Sequence, residues 1–518
     1  MVDVILTTIN AKYIHTAFGL RYLYANLGEL KPRARILEFD LQTRPVDMAE
    51  AILNQSPKII GIGVYIWNSR EVEDLVGIIK KVSPQTIIAL GGPEVSYEWE
   101  NNPVVQLCDY VICGEADIAF REFCERILNG AAPESKIISP PFPSLDQIKM
   151  PYQYYTDEDI KHRIIYVESS RGCPFKCEFC LSSLNVPVRY FPVDIFLSEL
   201  KELIKRGAKQ FKFVDRTFNL SIEHGSRILE FCLNNYQPGM FFHFELVPDR
   251  LPLKWRDLIK KFPPGSLQFE AGIQTFNPEV SERIERRQNY KRLEENLTFL
   301  KNQTGAHLHT DLIAGLPGED IKSFAEGFDR LIRMRPQEIQ VGVLKRLRGA
   351  PISKHTENWG MVYNSKPPYE ILRTSLITFS QMQSIKRFAR YWDIIANSGN
   401  FIKTTDLILG FEDENPSRSP FNEFMSLTEW LFGKIGRTSA ISRARLLELI
   451  YEYLTEVKTY NREKVATALL EDCKRVGFKE LPECLRQFAE SNQIKIRQVS
   501  SNSGLKRQVK HINPTKHH

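Results

Sequence analysis

The sequence predicts an α/β chain with a helical C-terminal region. Three observations carry that prediction. Short apolar runs alternate with amphipathic stretches over residues 1–130 and again over 161–350. Glycines and prolines close the runs of the first block, as at Gly91-Gly92-Pro93 and Gly114. After Pro351 the alternation stops and apolar residues recur at helical spacing. Parallel strands need crossovers, usually helices, so repeated strand–helix alternation reads as parallel sheet.

In the first block, 4–8 reads as a strand, then a loop and a helix over about 17–27. Strands follow at 35–39, 58–64, 86–90 and 110–113. A helix begins at Ser69, with Glu71 and Glu73 in its first turn, where carboxylates favour the positive end of the helix dipole. Another runs to about Leu128. The block is a Rossmann-like, doubly wound parallel sheet, a fold that binds ligands at the C-terminal strand ends. The dinucleotide pattern G-x-G-x-x-G is missing after the first strand, which counts against NAD.

Residues 131–160 are rich in proline and turn formers, hold no helical or strand period, and read as a linker. The second block has candidate strands at 163–168, 210–214, 241–246, 266–272, 309–314 and 338–343, with helices between, for example 193–206 and 293–302. Residues 351–497 read as a helical domain, with Ile441, Leu446, Leu447, Ile450, Leu454 and Val457 on one helical face. Phe379, Phe388, Tyr391, Trp392, Phe421, Phe424, Trp430 and Phe432 crowd ahead of those helices. They read as core in preference to the wall of a pocket. Residues 498–518 read as a basic, disordered tail.

A chain of 518 residues at 42% hydrophobic and 25% charged is ordinary globular material of two or three domains. No apolar run approaches transmembrane length, and the opening MVDVILTTINAKY lacks a signal-peptide layout, so a cytoplasmic protein without a membrane span is expected. The net charge of +6 comes from the tail. Lys495, Arg497, Lys506, Arg507, Lys510 and Lys516 follow the last acidic residue, Glu490, and without them 63 basic residues face 63 acidic ones. A basic tail can contact nucleic acid, though a solvated terminus explains it equally well. The nine cysteines show no disulfide framework.

One stretch carries the chemistry: Ser169-Ser170-Arg171-Gly172-Cys173-Pro174-Phe175-Lys176-Cys177-Glu178-Phe179-Cys180. Three cysteines at C-x3-C-x2-C leave the C-terminal end of a predicted strand, where α/β barrels place their chemistry. Three thiolates can hold three irons of a cubane and leave the fourth open, whereas electron-transfer clusters fill all four. A zinc site would want a second knuckle, and none follows.

The loop resembles the radical S-adenosylmethionine (SAM) superfamily, with Phe179 in the aromatic place before the last cysteine. The resemblance implies that Cys173, Cys177 and Cys180 bind a [4Fe-4S] cluster whose fourth iron is chelated by SAM. It also implies a partial (β/α)6 radical SAM barrel over 161–350, a reducing cytosol, and an electron donor such as a flavodoxin or ferredoxin. Among strand-end residues, Asp215, Glu245, Glu270, Gln274, Arg286 and Gly315 resemble the superfamily's SAM-contacting positions. The glycine-rich motif usual after the second strand is absent, so Asp215 stands alone there. Glu270 and Gln274 would meet the ribose or methionine portion, Arg286 the SAM carboxylate, and the Asp311-to-Glu319 segment around Gly315 the adenine.

The first block resembles the cobalamin-binding domain that precedes many radical SAM cores. The segments Leu90-Gly91-Gly92-Pro93-Glu94 and Cys113-Gly114-Glu115-Ala116-Asp117 carry that resemblance, and Tyr65-Ile66-Trp67-Asn68-Ser69 follows the third strand. Gly91, Gly92, Pro93, Gly114, Glu115, Trp67, Asn68 and Ser69 are the implied cobalamin contacts. Trp67 either covers the lower face of the corrin or packs in the core. The motif D-x-H-x-x-G, whose His ligates cobalt in many such domains, is absent, so His15 reads as a loop or substrate-side residue.

Together the resemblances imply a cobalamin-dependent radical SAM enzyme, methylating an unactivated carbon through methylcobalamin and a 5′-deoxyadenosyl radical. Alternatives are rearrangement or cyclisation without methyl transfer and, from another class, a non-catalytic cobalamin or iron–sulfur sensor. The substrate is not encoded in any motif.

Overall fold

In a computed structural model of the chain, residues 2–184, 187–411, 418–478, 481–491 and 507–511 are described. They form two units. One comprises Met1–Glu245, Lys345–Lys354 and Tyr363–Glu370; the other comprises Leu246–Leu344, His355–Val362 and Ile371–His518.

The first unit begins with a parallel sheet of β1 (Val4–Asn10), β2 (Ala34–Asp40), β3 (Ile59–Gly63), β4 (Ile87–Gly91), β5 (Tyr110–Ile112) and β6 (Ile137–Ile138), in the order β2-β1-β3-β4-β5-β6. All seven residues of β1 are buried, as a central strand covered on both faces requires. Its side chains alternate between two cores. Ile5 and Ile9 join Ile60, Ile62, Ile88 and Leu90 beneath the helix Ser69–Val82. Val4 and Leu6 join Ile59, Ala89, Phe120 and Phe123 on the other face. The helix docks through Val72, Leu75, Val76 and Ile79, a stripe at i, i+3, i+4 and i+7. The order places a topological switch point between β1 and β3, the crevice where doubly wound sheets take ligands.

The expected linker proves structured. β6 lies inside it and extends the sheet beside β5. Two isoleucines in a proline-rich segment show no strand period of their own; pairing to a preformed edge makes them a strand. The helix Asp157–His162 follows, with Thr156 and Asp159 forming a capping box. Asp159 and Glu38 both accept from the buried Arg21, which fastens this segment to the first sheet.

The same unit continues with β7 (Ile165–Val167), a two-stranded antiparallel ribbon of β8 (Ser170–Arg171) and β9 (Arg189–Tyr190), β10 (Gln210–Phe213) and β11 (Phe241–Leu246). β10 pairs in parallel with β7 and β11. The second unit carries β12 (Leu267–Gln274), β13 (His307–Ala314) and β14 (Glu338–Val343), parallel in that order. Each unit thus holds three of the six strands expected in the second block.

Helices make up most of the rest of the second unit. Phe388, Tyr391, Trp392, Phe421 and Phe424 are all buried, and Phe388 packs on Trp392, Phe421 and Phe424 at 4.8–5.8 Å between ring centroids. They are core, as the sequence reading favours, whereas Phe379 is exposed. The expectation of a disordered tail fails for residues 507–511. Arg507–Lys510 is helical, and Arg507 pairs with Glu338 at 3.0 Å and Asp393 at 2.6 Å. The remainder of the tail lies outside the described residues. Among the described residues, no helix is long and apolar enough to cross a membrane.

Candidate functional site

The cysteine loop is held at its base before any cysteine is reached. Asp215, just past β10, is buried and accepts from the Ser169 N–H at 3.0 Å, the Ser169 hydroxyl at 2.7 Å and the Ser170 hydroxyl at 2.6 Å. Burial pushes its carboxyl upward and these donors pull it back. Gly172, with φ at +96°, turns the chain out of the ribbon into Cys173. Cys177 is buried and Cys173 and Cys180 are half-buried. Beyond Cys177 the loop tightens, with Cys180 N–H donating to the Cys177 carbonyl at 3.1 Å. Glu178 is anchored by Lys354, and its carbonyl accepts from Ile352 N–H at 2.9 Å. Among the described residues, no three His, Cys, Asp or Glu side chains converge on a single ion. A cubane spreads its thiolates over separate irons, a different geometry.

At the strand ends of the first sheet, Trp67 is 45% exposed, so it is not core. Its indole N–H donates to the Ile9 carbonyl at 3.1 Å, and its ring stacks on Tyr65 at 4.5 Å with 3° between planes. A flat aromatic face therefore stands at the switch point. Asn68 is fully buried, and its amide bonds Thr8, Ile9, Gly63 and the Tyr65 N–H. It ties β1 to β3, and Ser69 opens the following helix. Gly92 has φ of +105°, and a Cβ there would meet the Val64 carbonyl oxygen at 2.5 Å. Gly92→Ala is therefore expected to cost about 3 kcal/mol in folding free energy by denaturant titration. A change under about 0.5 kcal/mol would show that the turn relaxes freely.

Two turns meet through Ser96, whose hydroxyl donates to the Gly92 carbonyl at 2.9 Å and accepts from Gly114 N–H at 3.3 Å. Gly114 itself has φ of +70°. Glu94, next to Pro93, is buried between Arg348 at 3.1 Å and the Tyr369 hydroxyl, and burial raises its carboxyl. Both partners lie more than 250 residues away in the chain, so sequence reading had no signal for this clamp. Glu115, an implied cobalamin contact, instead directs its carboxylate to Arg171 and Arg189. His15 shares a hydrogen bond with the Tyr166 hydroxyl at 2.7 Å.

Glu245, the penultimate residue of β11, is half-buried, 3.5 Å from Arg216, and Phe179 is half-buried. Glu270, Gln274, Arg286 and Gly315 lie in the second unit. Glu270 faces His309 across β12 and β13, and Asp311 lies 3.3 Å from His309. Burial opposes charge on His309, but Asp311, Glu338 and Glu270 outweigh it and lift the imidazole to about 9. Spacing of two between His309 and Asp311, which puts both on one face of the strand, was the signal that could have found this pair. β12 ends in a bulge with Gln274 at φ +72°, and its amide oxygen is buried with no hydrogen-bond partner among the described residues. Arg286, Gln288 and Tyr290 donate to the carbonyls of Gly272, Ile273 and Thr275, so one short segment braces the bulge. Gly315 has φ of +86°, and a Cβ there would meet Ile371 at 2.7 Å.

Comparison with known proteins follows this division of labour. Residues 4–124 match the B12 binding domain, 167–331 the radical SAM superfamily, and 357–516 a family described as "Protein of unknown function (DUF4080)". The chain is 23% identical over 359 residues to the cobalamin-dependent radical SAM methyltransferase TokK of Streptomyces tokunonensis, covering 61% of this chain and 51% of TokK. It is 27% identical over 220 residues to the uncharacterized methyltransferase PH0819 of Pyrococcus horikoshii, covering 38% and 46%. The chain thus spans about half the length of the curated relatives it matches. The fold is similar to the radical SAM methyltransferase TsrM of Kitasatospora setae, solved with cobalamin and a [4Fe-4S] cluster. That match has a TM-score of 0.55 and 14% identity, and covers 71% of this chain and 78% of TsrM.

These domains imply a [4Fe-4S] cluster, SAM and cobalamin, and the residues fit all three. Three cysteines share one braced loop. The buried Gln274 oxygen beside Gly272, without a partner among the described residues, offers an acceptor to a ligand bearing hydroxyl or amino donors. The exposed Trp67 face and the positive-φ turns at Gly92 and Gly114 suit a flat macrocycle approached by backbone. The chain carries a B12-binding domain over residues 4–124 followed by a radical SAM domain over residues 167–331.

Proposed function

We propose that the protein is a cobalamin-dependent radical SAM methyltransferase acting on an unactivated carbon. The observation that carries this reading is a cobalamin-type sheet, with its glycine turns, followed in the same chain by a three-cysteine loop; the methyltransferase relatives support it. When bound, the cofactors supply a hydrogen-abstracting 5′-deoxyadenosyl radical and a transferable methyl group. The chain's own residues bind and orient. Cys173, Cys177 and Cys180 hold the cluster. Glu270, Gln274 and Gly315 contact SAM, and Trp67, Gly91, Gly92, Pro93 and Gly114 receive the cobalamin. Asn68, Asp215 and Arg286 position the strand ends and loops those contacts depend on, because their polar atoms are engaged with backbone and serine groups. A flavodoxin or ferredoxin supplies the electron.

The reading is tested by anaerobic purification with hydroxocobalamin, metal counting, and incubation with methyl-labelled SAM, reductant and cell extract. About four irons, near-stoichiometric cobalt and label in a new product support it. Production of 5′-deoxyadenosine with no labelled product would favour rearrangement or cyclisation. Iron without cobalt would remove the methyl carrier from the reaction.

A further inference from the structure

Arg171 and Arg189 stand directly opposite each other across the ribbon that brackets the cysteine loop. Like charges at facing ladder positions repel. They are reconciled by a carboxylate from outside the ribbon. Glu115, in the turn after β5, meets Arg171 Nη1 with Oε2 at 3.0 Å and Arg189 Nη2 with its other oxygen. Asp117 engages Arg171 at two points, 2.8 and 3.1 Å. Glu168 accepts from Arg171 Nε and Nη2 at 3.0 and 2.8 Å. The Arg171 guanidinium also lies over the Tyr22 ring at 4.7 Å. None of these five charged side chains is more than 23% exposed, so unpairing any of them strands a charge with little solvent to receive it.

The cluster joins two pieces of machinery. Arg171 is separated from Cys173 only by Gly172, and Glu115 directly follows Gly114. Ordering the cysteine loop fixes the ribbon, the ribbon fixes both arginines, and the arginines fix the turn after β5. Coupling of this kind is reciprocal between the two sites. Resting on the cofactor reading above, we propose that the Glu115–Arg171–Arg189 cluster is a linkage element. Filling the three-cysteine site raises affinity for cobalamin, and cobalamin strengthens retention of the cluster by the same factor. Glu115 and Arg189 are positioning residues in this scheme.

The test is a visible-spectrum titration of the full chain with hydroxocobalamin, once with the iron–sulfur cluster reconstituted and once with it stripped. Wild type is expected to bind about tenfold more weakly when stripped. In Glu115→Gln the two states should bind alike, at the weaker level. Equal affinities in the two wild-type states, or an unchanged gap in Glu115→Gln, would overturn the proposal. If Glu115→Gln does not fold by circular dichroism, Arg189→Gln serves, since it removes the ladder repulsion and one arm of the bridge; there the gap should shrink, and a full gap would overturn the linkage. Absence of cobalamin binding in both wild-type states would instead overturn the cofactor reading on which the linkage rests.

Discussion

Cys177→Ala is expected to strip the protein of its iron and abolish cleavage of SAM to 5′-deoxyadenosine. With three thiolates for three irons, none is in reserve, and loss of one leaves a cubane with two protein ligands. Cys177 is the most enclosed of the three at 5% exposed, and its carbonyl supports the turn that presents Cys180. Anaerobic iron and sulfide counts against wild type measure the effect, with deoxyadenosine formation as the second readout. Cys232→Ala is the control. That thiol is buried in the helix Ile222–Asn234, where burial pushes its pKa far up, and its loss should leave the iron count unchanged. Four irons retained in Cys177→Ala would refute the assignment of the loop.

Wild-type stability should fall between pH 5 and 9, and Glu319→Gln should remove much of that fall. Glu319 is 2% exposed. One carboxyl oxygen accepts from the Thr275 hydroxyl, and the other has no hydrogen-bond partner among the described residues. Burial, opposed by Thr275 and aided by Asp320, raises its pKa from 4.5 to about 8. The folded chain therefore keeps a proton that the unfolded chain releases above the ordinary value. The contribution to stability is complete below 4.5 and is lost as pH rises through about 8. The upper limit is about 5 kcal/mol, from about 1.4 kcal/mol per pKa unit. Thermal unfolding of both proteins across the range is the measurement. Parallel pH profiles would assign the fall to other groups, of which His309 is the next to expect, since its charge is also lost as pH rises through about 9.

The strands were legible because their signal is local. A central strand such as β1 is a continuous apolar run, and the helix after β3 announces itself by its stripe and its first-turn acid. The three-cysteine spacing was legible for the same reason, since all three cysteines lie within eight consecutive residues of chain, Cys173 to Cys180. β6 escaped because two residues have no period.

Reading polar strand-end residues as ligands was less secure. Asn68, Asp215, Glu115 and Arg286 were all singled out, and all four carry hydrogen bonds that brace the fold. Asp215 reaches back 46 residues to Ser169, and Arg189 crosses 74 residues to Glu115. By itself, then, the sequence determined the two strand–helix blocks and the spacing of the three cysteines, because periodicity and spacing are properties of neighbours in the chain. Only the tertiary structure decided which carboxylates and amides face a ligand and which face one another, because a polar group's role depends on partners that folding brings to within 3 Å of it.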